Sequence, residues 1–218
     1  MDRGIIFDMD GVLVNSRPVT LKSAMECLKE FGVEASAADF MDFIGAGEDR
    51  LIGGVAEKYG VEYVPSMKKR MYEIYCGLAS REMILFDEVP QTLSALHQAG
   101  YRIAIASSAD RIKVDANLVA ASIPRSAADV ILTGEDIERK KPFPDIFLLA
   151  AERLGIPPSS CLVVEDAVNG IQAAKAAGMR CVGVTSCFPA SVLLQEGAAA
   201  TVFQIRDLPD ILEGIFTT

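Results

Sequence analysis

Gly4-Ile5-Ile6-Phe7-Asp8-Met9-Asp10-Gly11 is an apolar run broken off by two acids and a glycine. Its apolarity is continuous rather than alternating, which predicts a strand buried on both faces, as in a parallel sheet covered by helices. The form recurs at Tyr101–Ser107, Asp129–Leu132, Cys161–Glu165, Cys181–Val184 and, more weakly, Ala200–Phe203. Helical patterns lie between these runs. Val89–Ala99 carries Pro90 in its first turn and stops at Gly100, Asp145–Leu154 stops at Gly155, and Ala167–Ala177 stops at Gly178. Strand alternating with helix predicts right-handed βαβ units and a doubly wound, mostly parallel, Rossmann-like α/β sheet.

One segment breaks the rhythm. From about Pro18 to Ser80 there is no strand pattern, only helical stripes: Leu21, Met25, Leu28 and Phe31, then Leu51, Ile52, Val55 and Tyr59, then Met71, Ile74, Tyr75 and Leu78. Ser36 with Asp39 reads as a helix cap before Phe40, Phe43 and Ile44. The expected organisation is a core of residues 1–15 and 81–218 with a helical bundle of residues 16–80 inserted after the first strand, hinged near Val14–Arg17 and Ser80–Leu85.

The 218 residues suit a core of ordinary size plus a smaller insert. Half of them are hydrophobic, enough to bury a sizeable core. The net charge is 21 − 30 = −9, which disfavours nucleic acid or anionic lipid as partner. The chain has no stretch of 18 consecutive apolar residues and no signal-peptide pattern, so the expectation is a cytoplasmic protein, monomeric and free of the membrane. Cys27, Cys76, Cys161, Cys181 and Cys187 are odd in number and lack metal-ligand spacing. The single histidine, His97, sits in a helical stretch away from any nucleophile motif, which removes Ser-His-Asp and Cys-His mechanisms. Chemistry must come from carboxylates, lysine, hydroxyls or a metal.

In an open parallel sheet, ligands bind beyond the carboxyl ends of the strands. There the sequence puts Asp8 and Asp10, Ser107 and Ser108, Lys140-Lys141-Pro142, and Glu165-Asp166. Four carboxylates brought to one rim repel unless a cation sits among them, and oxygen donors of this kind suit Mg²⁺. The expected metal set is Asp8, Asp10, Glu165 and Asp166. Mg²⁺ in turn suits phosphoryl transfer, which is largely positioning and charge neutralisation. Lys141 supplies a second positive charge, and the Ser107 and Ser108 region holds phosphate oxygens. Without a usable histidine the nucleophile is assigned to a carboxylate: Asp8, rigid at the strand end, forms an aspartyl-phosphate, and Asp10 serves as acid and then base.

Asp8-Met9-Asp10-Gly11-Val12-Leu13, Ala106-Ser107-Ser108, Lys141-Pro142-Phe143-Pro144-Asp145 and Val164-Glu165-Asp166 with Gly170 resemble, in order, motifs I to IV of the haloacid dehalogenase (HAD) superfamily. The helical insert is similar to the C1 cap of its β-phosphoglucomutase and phosphoglycolate-phosphatase-like branch. This resemblance implies Asp8 as nucleophile, Asp10 as acid and base, and Mg²⁺ held by Asp8, the Asp10 carbonyl and Asp166 with Glu165 in support. Ser107–Leu118 also resembles HAD modules fused to thioredoxin-like domains in plant chloroplast proteins.

Three departures bear on the activity. A motif I-proximal histidine of the β-phosphoglucomutases is Thr20 here, an arginine of their cap loop falls at about Glu48, and a basic residue after the motif II serine is Asp110. Glu48 and Asp110 are expected to repel a second phosphate, with Arg111 and Lys113 compensating in part. The expected activity is therefore a phosphatase on a small phosphorylated metabolite rather than a sugar phosphomutase. A metal-free dehalogenase is disfavoured by Asp10, and a non-catalytic module phosphorylated on Asp8 by the length and the cap. Substrate choice is assigned to the cap turn Gly45-Ala46-Gly47-Glu48.

Overall fold

Ile5, Ile6 and Phe7 have no exposure to solvent. Full burial of each contributes roughly 1.5–3 kcal/mol, and burial on both faces requires covering layers above and below. The computed structural model describes residues 3–43 and 47–217. From the N-terminus its elements are β1 (Gly4–Phe7), β2 (Val14–Asn15), α1 (Arg17–Glu30), α2 (Glu48–Lys58), α3 (Pro65–Glu82), β3 (Ile84–Leu85), α4 (Val89–Gln98) and β4 (Arg102–Ala106). They continue with α5 (Arg111–Ala120), β5 (Val130–Leu132), α6 (Asp145–Leu154), β6 (Cys161–Glu165), α7 (Val168–Ala176), β7 (Arg180–Val184), α8 (Ala190–Glu196), β8 (Ala200–Val202) and α9 (Leu212–Thr217).

The main sheet has the order β5-β4-β1-β6-β7-β8, and every neighbouring pair is parallel. The chain lays β4 and β5 on one side of β1, then returns to lay β6, β7 and β8 on the other. The order therefore reverses at β1, the switch point at which such sheets bind ligands. In register, Phe7 lies opposite Ile105 of β4 and Val164 of β6, so these strand ends are level and the residues after each of them meet at a common rim. Ile5 and Phe7 face a layer containing Leu93 of α4, Val114 of α5 and Leu212 of α9. Ile6 faces the opposite layer, with Phe147 of α6, Ile171 of α7 and Leu193 of α8.

The helical insertion leaves and rejoins the core through β2 and β3, which pair antiparallel with Val14 opposite Leu85. It has its own apolar centre, including Leu28, Phe40, Ile52, Val55 and Met71. The Asp39 carboxylate accepts from the Ser36 N–H and hydroxyl at 2.8 and 2.7 Å, as a cap should, but the turn after it, Ala37–Phe43, is the tighter 3₁₀ form. Ile44, Gly45 and Ala46 lie outside the described residues.

The six expected strands are present. Helix α5 was not foreseen, because two of its buried positions, Lys113 and Asn117, are polar and interrupt the apolar stripe of Val114 and Leu118. No cysteine forms a disulfide. His97 lies 3.2 Å from Asp129 and takes no part in lining the main cavity. Among the described residues no helix is long and apolar enough to cross a membrane.

Candidate active site

A cavity of about 700 Å³ lies where the ends of β1, β4 and β6 face the helical insertion. Asp8 comes directly after β1, and its N–H donates to Val164 O at 2.9 Å, so the parallel ladder carries on into the residue and fixes its backbone. Its Oδ1 accepts from Lys141 Nζ at 2.6 Å. The same ammonium reaches Glu165 Oε1 at 2.7 Å and Ala106 O at 3.3 Å. The Lys141 side chain is only 4% exposed. Burial alone would strip its proton; Asp8 and Glu165 outweigh that and hold its pKa above the ordinary lysine value.

Carboxylate oxygens of Asp8, Glu165 and Asp166 all lie within 4.8 Å of one another. Burial pushes Asp8 up to about 7, against the pull of Lys141 and with the charges of Glu165 and Asp10 adding to the rise. Burial, then Glu165 and Asp8, lift Asp166 well above the usual carboxylate range. One lysine does not balance three buried acids. The deficit, with an all-oxygen donor set, fits a hard divalent cation.

Two glycines let these acids sit where they do. A Cβ on Gly11, whose φ is +84°, would collide with Asp166 Oδ2, and one on Gly170 would collide with Glu165 Oε1. Ser186, just past β7, donates to Gly11 O at 2.5 Å and to Asp166 Oδ2 at 3.2 Å. Glu165 Oε2 accepts from Ala167 N–H at 2.8 Å, where α7 begins.

Asp10 corrects one expectation. Its carboxylate does not join the acidic trio; it accepts from the Ser16 hydroxyl, from Asn117 Nδ2 at 3.1 Å and from Lys113 Nζ at 3.0 Å. Burial opposes ionisation there, but Lys113, Ser16 and Asn117 outweigh it and hold Asp10 below the ordinary carboxylate value. Only its carbonyl is left for a metal.

Glu48 and Asp110 give a second correction. Neither presents a free negative charge: Glu48 pairs with Lys113 at 3.0 Å, and Asp110 with Lys68 at 2.7 Å. Lys113, expected to compensate in part, is buried and bonds Asp10 as well as Glu48. Arg111 turns away to Asp136.

Ser107 and Ser108 line the cavity beside Asp8 and Lys141. The Ser107 hydroxyl accepts from Ala109 N–H at 3.2 Å, whereas that of Ser108 is buried with no protein partner. The Thr20 hydroxyl is likewise buried, unpartnered and in the lining. Gly47 lines the cavity too; Gly45 and Ala46 fall outside the described residues. Sequence reading missed Ser16, Asn117 and Ser186. Only the i, i+4 pair of polar residues on the buried face of α5, Lys113 and Asn117, left a readable signal.

A buried carboxylate held by a lysine beside two further acids, at the switch point of a parallel sheet, suits phosphoester chemistry. The class so defined is the phosphatase-type hydrolases with a helical insertion over an α/β core. The chain belongs to the haloacid dehalogenase-like hydrolase family, whose profile matches residues 5–184. Magnesium is typical of that family, in keeping with the acidic trio. The chain is similar to "Protein SUPPRESSOR OF QUENCHING 1, chloroplastic" of Arabidopsis thaliana, 41% identical over 96% of this chain, though it spans only 20% of that protein's length. Phosphoglycolate phosphatase of Salmonella typhimurium is 31% identical over 84% of this chain and 81% of its own. CbbY from Rhodobacter sphaeroides, solved with phosphate and, as a mutant, with xylulose-(1,5)-bisphosphate, superposes with TM-scores of 0.82 and 0.80. It is 25% identical over 95% of this chain and 96% of that one.

Proposed function

We propose that the protein is a Mg²⁺-dependent phosphomonoesterase that acts on a small phosphorylated metabolite through an aspartyl-phosphate on Asp8. The observation that carries the reading is Asp8 itself, fixed by the sheet ladder, bonded to Lys141 and open to the cavity. Asp8, Asp166 and the Asp10 carbonyl would hold the ion, with Glu165 in support; bound there, Mg²⁺ offsets the repulsion between carboxylate and phosphate. The Asp8 oxygen attacks phosphorus and the bond to the leaving oxygen breaks, that oxygen taking a proton that Asp10 draws from solvent and passes on. Water then attacks the phosphorus, gives its proton to Asp10, and phosphate leaves with Asp8 restored. Ser107, Ser108 and Lys141 hold the phosphate oxygens. Residues 16–80 act as a cap that excludes water on the core of residues 1–15 and 81–218.

Charge favours hydrolysis over mutase chemistry. The described cavity lining holds five carboxylates, Asp8, Asp10, Glu48, Glu165 and Asp166, against Arg17, Lys113 and Lys141. The difference, 5 − 3 = 2, equals the charge of one divalent ion, so with the ion bound these residues have no surplus positive charge with which to retain a second phosphate. Phosphorylated hydroxy acids and sugar phosphates, the chemistry of the relatives' ligands, make the panel to assay. Phosphate release from p-nitrophenyl phosphate should require Mg²⁺, stop with EDTA and return with added Mg²⁺. EDTA-insensitive release, or none from any ester, defeats the reading, and conversion of β-glucose 1-phosphate to glucose 6-phosphate would restore the mutase.

Stability should report the ion as well. The pKa values of Asp8 and Asp166 lie above their unfolded ones, so their contribution is present below about pH 4 and lost as pH rises through the folded values, about 7 for Asp8. Metal-free protein should melt several degrees lower at pH 8 than at pH 5, with Mg²⁺ raising Tm by roughly 3–8 °C at pH 8 and little at pH 5. An equal Mg²⁺ effect at both pH values in scanning calorimetry would contradict the acidic trio as the ion site.

A further inference from the structure

Of the cations in the described cavity lining, both lysines are already spent. Lys141 bonds Asp8 and Glu165, and Lys113 bonds Asp10 and Glu48. Arg17 differs. It is half-buried, its guanidinium donates to the Cys187 thiol, and among the described residues it pairs with no carboxylate. Its charge is felt at Asp166, though no bond joins the two. A neutral thiol is a weak acceptor, so most of the guanidinium N–H groups are left for a ligand. Thr20 and Leu21 stand one turn further along α1, on the same face, and line the cavity beside it; the Thr20 hydroxyl is buried without a protein partner. Phe188 follows Cys187, and Phe43 and Leu51 add a wall from the insertion. The charge of Arg17 is therefore set among carbon.

We infer that Arg17 selects the leaving group, and that the substrates it selects are phosphate monoesters of hydroxy carboxylic acids in which an apolar chain or ring separates the ester from the acid. The inference rests on the phosphatase reading of the site and narrows it. The phosphate lies at Asp8 and Lys141, and the carboxylate at Arg17. A carboxylate carries one charge and matches one guanidinium as a two-bond fork, whereas a second phosphate brings nearly twice that charge. The carbon between the two ends meets Leu21, Phe43, Leu51 and Phe188. A sugar phosphate would set its hydroxyls against the same side chains, each giving up water for no partner. A cavity of about 700 Å³ also takes ligands well beyond the size of a two-carbon acid.

A matched series of esters tests this with Mg²⁺ present: straight-chain ω-hydroxy acids phosphorylated on the hydroxyl, from the two-carbon to the six-carbon member, beside the alkyl phosphates of equal length and glycerol 1-phosphate. All leave as primary alcohols, so intrinsic reactivity is nearly constant. For the six-carbon pair, kcat/KM for the acid should exceed that for hexyl phosphate by about 10–100-fold, the effect of one charge-assisted pair. Along the acid series it should rise about threefold per methylene. Arg17→Gln should bring the acid-to-alkyl ratio to within about threefold of one, and Arg17→Lys should keep part of it, since lysine holds the charge without the fork. Leu21→Asn should flatten the dependence on chain length and leave the acid-to-alkyl ratio in place. Such ratios cancel any loss of stability or of phosphoryl transfer common to both esters. A wild-type ratio near one overturns the inference, as does glycerol 1-phosphate being hydrolysed better than either six-carbon ester. So does an Arg17→Gln variant that slows both six-carbon esters equally, the mark of a contact to the transferring phosphate. Phosphate release from none of the esters would sink the phosphatase reading itself, and the inference with it.

Discussion

Asp8→Asn should lower phosphate release by at least about 10³-fold while leaving the protein folded. The amide keeps the shape of the carboxylate, and the Asp8 N–H bond to Val164 O does not involve the side chain, so the end of β1 is unaffected. Lys141 retains Glu165 at 2.7 Å and is not left unpaired. What disappears is the anion that attacks phosphorus. Stability gives an independent sign. Wild-type Asp8, with its pKa pushed up to about 7, costs the metal-free fold stability once it ionises. The variant carries no such charge, so at pH 8 without metal it should melt no lower than wild type and a few degrees higher, by roughly 1–2 kcal/mol. The Mg²⁺-induced rise in Tm should shrink in the same variant, since a ligand is gone. Turnover within tenfold of wild type would refute Asp8 as nucleophile; a lower metal-free Tm would mean that its burial and charge have been misjudged.

The sheet and the acidic rim could be read from the chain because both are written locally. A strand covered on two faces cannot carry polar residues, so Gly4–Phe7 and Cys161–Glu165 are apolar until the rim and acidic at it. Because β1 and β6 are neighbours in register, residues more than 150 positions apart become one cluster. Long-range pairing is what the sequence hides. Glu48 displays its charge at its own position, but the counter-charge that neutralises it, Lys113, stands 65 residues further on. The same blindness hides the partners of the Asp10 carboxylate, grouped with the other acids of the rim although the resemblance implies only its carbonyl as a ligand: Lys113 and Asn117 bond it from far along the chain. The strands β2 and β3 are two residues each, too short for any periodicity, with Ile84 and Leu85 about half exposed. Ser186 comes after a strand end like any turn residue and gains meaning only because β7 lies beside β6.

Lys141→Met should damage stability and rate together, and the two losses should respond differently to metal. Methionine nearly preserves the length and bulk of the stem, while the ammonium that stands 4.8 Å over the Phe147 ring is lost. The substitution therefore removes the charge and little of the volume. Asp8 and Glu165 then face each other and Asp166 with no cation between them, in a region where Lys141 was 4% exposed. Breaking a buried pair from one side costs about 3–5 kcal/mol, so metal-free protein at pH 8 should lose about 6–20 °C in Tm. The loss should be smaller at pH 5, where Asp8 and Asp166 take up protons more readily than ordinary carboxyls do. Mg²⁺ supplies positive charge to the same acids and should recover much of the Tm. It should not recover the rate, because the ammonium that bonds Asp8 Oδ1 is absent. Turnover should remain about 10²–10³-fold below wild type at saturating Mg²⁺, the cost of losing one preorganised charge at the reacting centre. Recovery of both by metal would reduce Lys141 to a counter-ion, and recovery of neither would locate the ion away from the acids that Lys141 now balances.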